Sequence, residues 1–311
     1  MVNITGASPV VSTGNVPVVI LMIEKMFQQK ERLIGVGNLF KNAWSVYVNR
    51  FFILAGIAII PGVFYFLSQA VSEFSGSQTN SNLLIQLAVF LLAVGGLLIN
   101  TLANSALVFA VANKDEVGFG IKKSFAVGWN NYILYIWVSS LAGIFIFSGF
   151  FLFIIPGIIF FVWFAFSLFV FAMEGAKGIK AENRIRGMNA LFRSKQLTEG
   201  YWWKIFWRLA VLFISLFVAM FFVDFISKEA NISYLPNIFN IFATPFILVY
   251  NFLIYNNLKE IKKDVLFIPV ARKTKTKFIL ICFAGILVAI IIISAIVVLS
   301  YNPSILWRLI T

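Results

Sequence analysis

The chain has 311 residues, 61% of them hydrophobic, 12% charged and 36 of them phenylalanine, with 25 Lys and Arg against 12 Asp and Glu. An average soluble domain is about 45–50% apolar and about 25% charged, so a soluble core cannot hide this much apolar surface, and the expected solvent is the bilayer. A single cysteine, Cys282, excludes an intramolecular disulfide framework and a cysteine-based zinc site, and the absence of histidine removes the commonest general base and metal ligand.

Residues 1–32 are read as a partly disordered segment without a signal-peptide pattern. Its apolar run 18–23 is too short to span and is assigned to a surface helix, since crossing takes about 20 apolar residues. From 33 to 50, Val36, Leu39, Phe40, Ala43 and Tyr47 recur at helical spacing with Lys41 and two asparagines opposite, which predicts a helix in the headgroup region. Residues 51–72 form the first span, kinked or broken at Pro61 and Gly62. A Ser/Asn-rich loop over 73–82 leads to a second span over 83–113, which is long enough to tilt.

Residues 114–131 return to the basic amphipathic pattern, and 132–173 is long enough for two crossings, divided at Pro156 and Gly157. The stretch 174–209 holds eight basic residues against three acidic ones and ends in a Trp-rich border, as expected of a third surface helix turning down into the bilayer. A fifth span covers 205–226 and a sixth 235–255, with Pro245 as a second kink. A basic cytoplasmic linker over 256–277 leads to an additional C-terminal span over 278–300 and a short tail over 301–311. In that last span 16 of 23 residues are Ile, Leu, Val or Phe, which favours insertion by about 5–10 kcal/mol at most.

These seven spans place 23 of the 25 basic residues on one side, leaving only Lys228 and Arg308 on the other. The excess of basic residues marks the cytoplasmic side, so the amino terminus is expected inside. An internal repeat supports the same layout. The 20 residues from Leu39 align without gaps to those from Gly120, matching Lys41 with Lys122, Ala43 with Ser124, Asn49 with Asn130 and Phe51 with Tyr132. A third, weaker copy puts Ser194, Gly200 and Trp202 at the corresponding positions. Each unit is a surface helix followed by a membrane hairpin, so the six-span domain over 33–255 reads as three units.

The chain resembles a group of bacterial multi-pass proteins: the membrane domain attached to some glycerophosphodiester phosphodiesterases, and related integral membrane proteins. The resemblance rests on the IPGI run at 155–158, the run FVWFAFSLFVFAMEG at 161–175, the Ser-containing basic helix after it and GYWWKIFWRL at 200–209. It implies a helical membrane fold over 33–255. In fused relatives the phosphodiesterase chemistry belongs to a separate soluble domain rich in acidic and histidine ligands; this chain has no histidine, so the activity does not carry over.

Gly96, Asn100 and Asn104 form one stripe of the second span, while Asn240, Thr244 and Asn251 share a face of the sixth. Packing between helices, at about 0.6 kcal/mol per hydrogen bond, is favoured over a ligand site for these faces. Lys41, Arg50, Lys122, Lys123, Arg184, Arg186, Arg193, Lys195, Lys204 and Arg208 are the expected contacts for anionic lipid headgroups, at about 1 kcal/mol each near the surface. No ionisable residue lies near the middle of a span, which weakens an ion-coupled pump.

The expected architecture is therefore an all-α integral membrane protein with about seven transmembrane helices and three basic amphipathic interfacial helices on the cytoplasmic face. The expected role is that of a non-enzymatic module of the bacterial cytoplasmic membrane, without catalytic, cofactor or metal residues, that interacts with lipids or organises a partner. The alternative is a transporter or channel component using the polar faces of the second and sixth spans. Membrane lipids are the expected partners; a protein partner or second copy stays open, and nucleic acid is not expected.

Overall fold

The computed structural model describes residues 33–76, 83–176, 184–232 and 234–301. The segment 1–32, with its short apolar run, most of the 73–82 loop and the tail after 301 lie outside the described residues. Among the described residues every regular element is helical and seven helices are long and apolar enough to cross a membrane, so the chain is an all-α multi-pass membrane protein. The elements are α1 (Val36–Asn49), α2 (Phe51–Gly76), α3 (Leu83–Ala112), α4 (Ile121–Asn130), α5 (Tyr132–Leu152), α6 (Ile154–Phe164), α7 (Ser167–Val170), α8 (Met188–Thr198), α9 (Trp202–Glu229), α10 (Leu235–Ile261) and α11 (Arg272–Tyr301). A π turn, Phe171–Gly175, follows α7, and α6, α7 and this turn together make the fourth span, Ile154–Gly175.

The same bend is made three times where a short helix meets a span. Arg50 (φ −114°, ψ 16°), Asn131 (φ −109°, ψ 6°) and Tyr201 (φ −120°, ψ 7°) interrupt the helix in one backbone conformation. Each of their carbonyls then accepts the first bond of the span, from the N–H of Leu54, Tyr135 and Ile205 at 2.8–3.0 Å. Burial follows the same register. Ala43, Ser124 and Ser194 are buried, as are Leu54, Tyr135 and Ile205, while Phe52, Ile133 and Trp203 point outward.

Each short helix lies against the second span of the hairpin before it, and the first closes on the last. α4 crosses α3 where Gly128 has no side chain, since a Cβ there would sit 3.1 Å from the Ala106 nitrogen. α8 seats against α6 and α7. α1 packs on α10, where Phe40, Trp44 and Tyr47 ring Phe246 and the Tyr47 hydroxyl donates to the Phe242 carbonyl at 3.2 Å. Burial also raises the Tyr47 hydroxyl pKa above its ordinary value. The second spans meet at the centre, Phe109 beside Phe171 and Phe169 beside both Phe252 and Tyr255.

This core occupies one end of the bundle. On α3 the run from Ala106 to Ala112 is buried, whereas Leu87, Phe90, Leu91, Val94 and Leu98 are exposed. On α9, Ile205, Leu209 and Leu212 are buried while Phe217, Phe221, Phe222 and Phe225 are not. In a bilayer such apolar surface needs no protein cover, because lipid tails are as apolar as leucine.

Three sequence expectations change. The second hairpin turns at Phe153, extended at φ −165° and ψ 156°, not at Pro156 and Gly157. Pro156 sits in the first turn of α6, where its missing N–H leaves no bond unmade, and Gly157 is instead the point where α6 crosses α5. Second, α8 is no surface helix, since Ala190, Leu191, Phe192, Arg193, Ser194, Leu197 and Thr198 are all buried. Third, helices consume both ends of the basic linker, and the remaining residues 262–271 form a strap across α8. Arg193 donates to the Val265 carbonyl at 3.0 Å and Gln196 to that of Leu266 at 3.3 Å. Beyond the strap α11 docks on α5, where a Cβ on Gly285 would collide with the Ser148 backbone.

Replacing Gly157 with Ala is expected to lower stability by about 1–3 kcal/mol, because the new Cβ lies 2.9 Å from the Phe150 Cα, in backbone that cannot swing away. Gly95→Ala, which meets nothing within 4 Å, is the matched control, and thermal unfolding in detergent measures both.

Candidate functional site

A cleft of about 430 Å³ opens between α2, α3 and α10. Four residues of the two sequence-derived polar faces meet there: Asn100 and Asn104 from α3, Asn240 and Thr244 from α10. Helical geometry aligns them, since Gly96, Asn100 and Asn104 recur every four residues and Asn237, Asn240 and Thr244 every three or four. Asn100 stands 12 residues from the end of α3 at Ala112, about 18 Å along the axis and near the middle of a hydrocarbon layer about 30 Å thick.

The polar groups of the cleft bond along their own helices. Asn104 Nδ2 donates to the Asn100 carbonyl at 2.9 Å and to its side-chain oxygen at 3.2 Å. Thr244 Oγ1 donates to the Asn240 carbonyl at 2.8 Å, and Ser68 Oγ to the Tyr65 carbonyl at 2.7 Å. No bond among the described residues joins one wall of the cleft to another, or engages the Asn237 or Asn240 amides. A Cβ on Gly96 would likewise meet nothing within 4 Å. The stripe therefore faces space, not a neighbouring helix, and the packing expected from sequence is not what these residues do. Around the amides the lining is apolar, Ala58, Phe64, Leu92 and Leu107 among it, and no lining residue is charged.

Asn251 stands apart from the other four. It lies two turns beyond Thr244, in the closed end of the bundle, and its Oδ1 is buried without a partner among the described residues. Fully buried Phe109, Tyr250 and Tyr255 fill that end.

The basic residues divide in two. Lys41, Lys122, Lys123, Arg186 and Lys204 are exposed, with Lys123 paired to Glu116, and Arg184 is half-buried. The others hold the fold. Arg50 donates to the Glu116 carbonyl at 3.2 Å and to those of Ala110 and Phe119 at 3.4 Å, closing the loop after α3. Arg208 donates to the carbonyls of Ile34 at 2.7 Å and Leu33 at 3.1 Å, tying down the chain before α1. The Lys195 ammonium sits 4.4 Å over the Trp163 ring. Arg193 is only 8% exposed and cannot reach a headgroup.

Sequence reasoning assigned no role to two side chains at this end. Glu174, on the π turn, faces Arg193 and Lys259, each at 3.5 Å, and accepts from the Tyr255 hydroxyl at 3.1 Å. The available signal was a lone acid closing a long apolar run just before a basic segment. Ser194 is the other. Its hydroxyl accepts from the Phe166 N–H at 3.2 Å and donates to the Trp163 carbonyl at 2.7 Å, bridging the gap between α6 and α7. Nearby, the Lys262 ammonium donates to the carbonyls of Gln196 and Glu199, both at 2.6 Å. Burial lowers the Lys262 pKa; the Glu199 carboxylate raises it in part and the Arg193 charge lowers it further.

Fold and cleft together define the class as a helical multi-pass membrane protein with an uncharged intramembrane cleft. Compared with family models, curated proteins and solved structures, the chain matches none.

Glu174→Gln is expected to cost about 3 kcal/mol, since it leaves Arg193 and Lys259 without their counter-charge at a largely buried position. Chemical denaturation of the purified protein, with Glu199→Gln at an exposed site as control, measures the loss.

Proposed function

We propose that the chain is a non-enzymatic module of a bacterial cytoplasmic membrane that holds an uncharged, hydrogen-bonding ligand in the cleft between α2, α3 and α10. One observation carries this reading: four side-chain amides and Thr244 converge on a space of about 430 Å³ at membrane depth, with no bond across it. Ligand sites are concave, mostly apolar and supplied with a few convergent polar groups, within about 300–1,000 Å³. Amides in hydrocarbon are costly unless they find partners, and a ligand supplies them. The uncharged lining favours an uncharged guest, because an ion here would have no counter-charge.

Passage of that ligand across the membrane is the second reading. Pro61 in the wall of the cleft and Pro245 beside Thr244 support it, since each removes a helix bond and gives its span a place to bend. The filled end around Tyr250 and Tyr255 favours binding without passage.

The short-helix end belongs in the cytoplasm in this reading, with the amino terminus. The 23 basic residues assigned to that side support it, together with the exposed rings of Trp44, Trp129 and Trp203. Exposed Lys41, Lys122, Lys123, Arg186 and Lys204 then contact anionic headgroups.

Native mass spectrometry of the full chain, extracted in mild detergent, is expected to find a bound non-protein mass that Asn100→Leu combined with Asn240→Leu removes. An equal load on both proteins sinks the binding reading. For topology, a membrane-impermeant thiol reagent applied to intact cells, in a Cys282→Ser background, is expected to leave Lys122→Cys unlabelled until the membrane is opened. Labelling in intact cells reverses the orientation.

A further inference from the structure

We infer that the occupant of the cleft is a single neutral membrane lipid whose head carries hydroxyl or amide groups, admitted sideways from the leaflet opposite the short helices. This rests on the binding reading above and adds the ligand's class and its route. The route follows from what borders the cleft. Leu97 is 67% exposed and Tyr65 48% exposed, and both line the cleft while facing outward from the bundle. Around them the outer half of α3 is bare: in the most apolar stretch of that span only 6% is buried, so no helix among the described residues stands between the rim and the lipid tails.

A water-borne solute would have to cross this apolar rim, whereas a lipid already lies against it. The opposite end is shut by Phe109, Leu107 and the tyrosines of α10, so the opening serves one leaflet.

The class follows from chemistry. The lining sets amide and hydroxyl groups among apolar walls, the pattern of an amphiphile with its polar part at Asn100, Asn104 and Asn240. A phosphate-bearing head would bring a charge, and no lining residue is a cation that could match it. A diacylglycerol, with one free hydroxyl and two ester carbonyls, is the simplest molecule that fits this description.

The test uses the full chain reconstituted into phosphatidylglycerol vesicles with trace photoreactive diacylglycerol or, in parallel, photoreactive phosphatidic acid. The diacylglycerol probe is expected to crosslink to peptides of α3 and α10. Asn100→Leu with Asn240→Leu should cut this yield about tenfold, the effect of about 1.4 kcal/mol in binding. Gly96→Leu, which fills the cleft without removing a polar group, should do the same, and melting curves of all three proteins verify that each is folded. Equal yields from the two probes, or a yield that neither variant changes, overturn the inference. A bound mass that persists on the wild-type protein while diacylglycerol fails to crosslink leaves the binding reading standing with a water-borne ligand. Absence of both overturns the two together.

Discussion

Inside hydrocarbon every backbone N–H and carbonyl must find its partner within the protein, and the fourth span meets this demand only with help. Its helix stops at Phe164 and resumes at Ser167, and the Ser194 hydroxyl of α8 bridges the Trp163 carbonyl and the Phe166 N–H across the gap. That contact fixes where α8 sits. Glu174, two turns beyond the break, then holds Arg193 of α8 and Lys259 of α10 together, and the strap over 262–271 closes above. Each of these groups is costly when buried alone and stable in company, so the break, the short helix and the strap stand or fall together.

Packing is strongly one-sided. Large aromatic side chains fill the end near the short helices, and the opposite halves of α3 and α9 turn apolar surface outward. Lipid removes the penalty that would make such an arrangement unstable in water. The same freedom lets α2, α3 and α10 separate enough to leave a cleft while their other ends stay locked.

Spans were the easiest part to see in the sequence, because length and hydropathy alone decide whether a helix can cross, and all seven appear where the apolar runs lie. The turn of the second hairpin was misplaced because proline is as much at home in a first helical turn as in a break. α8 was misjudged for a related reason: basic residues suggest a wet surface, and nothing local reveals that Arg193 will find Glu174, 19 positions earlier. Asn100, Asn104, Asn240 and Thr244 were visible as stripes, but a stripe looks the same whether it faces a helix or a void. Asn237 continues the stripe of Asn240 and Thr244 one turn earlier, whereas Tyr65 and Ser68 form only a single pair on α2, and the approach of α2 and α10, helped by Gly62 against Ile241, brings them to the cleft.

The docking of α1 on α10 has a consequence for the order in which this protein can be made. The Tyr47 hydroxyl and the Phe242 carbonyl that it binds are 195 residues apart, and the Ile34 N–H and its partner Asn257 are 223 apart. At synthesis rates of about 5–20 residues per second, α1 emerges roughly 10–40 s before the span that receives it. Hairpins one and two can acquire their neighbours as they appear, but the ring of three cannot shut until the sixth span has left the ribosome. Through that interval the buried stripe of Leu39, Ala43 and Tyr47 must rest on something other than its final partner, and the membrane surface is the apolar support within reach.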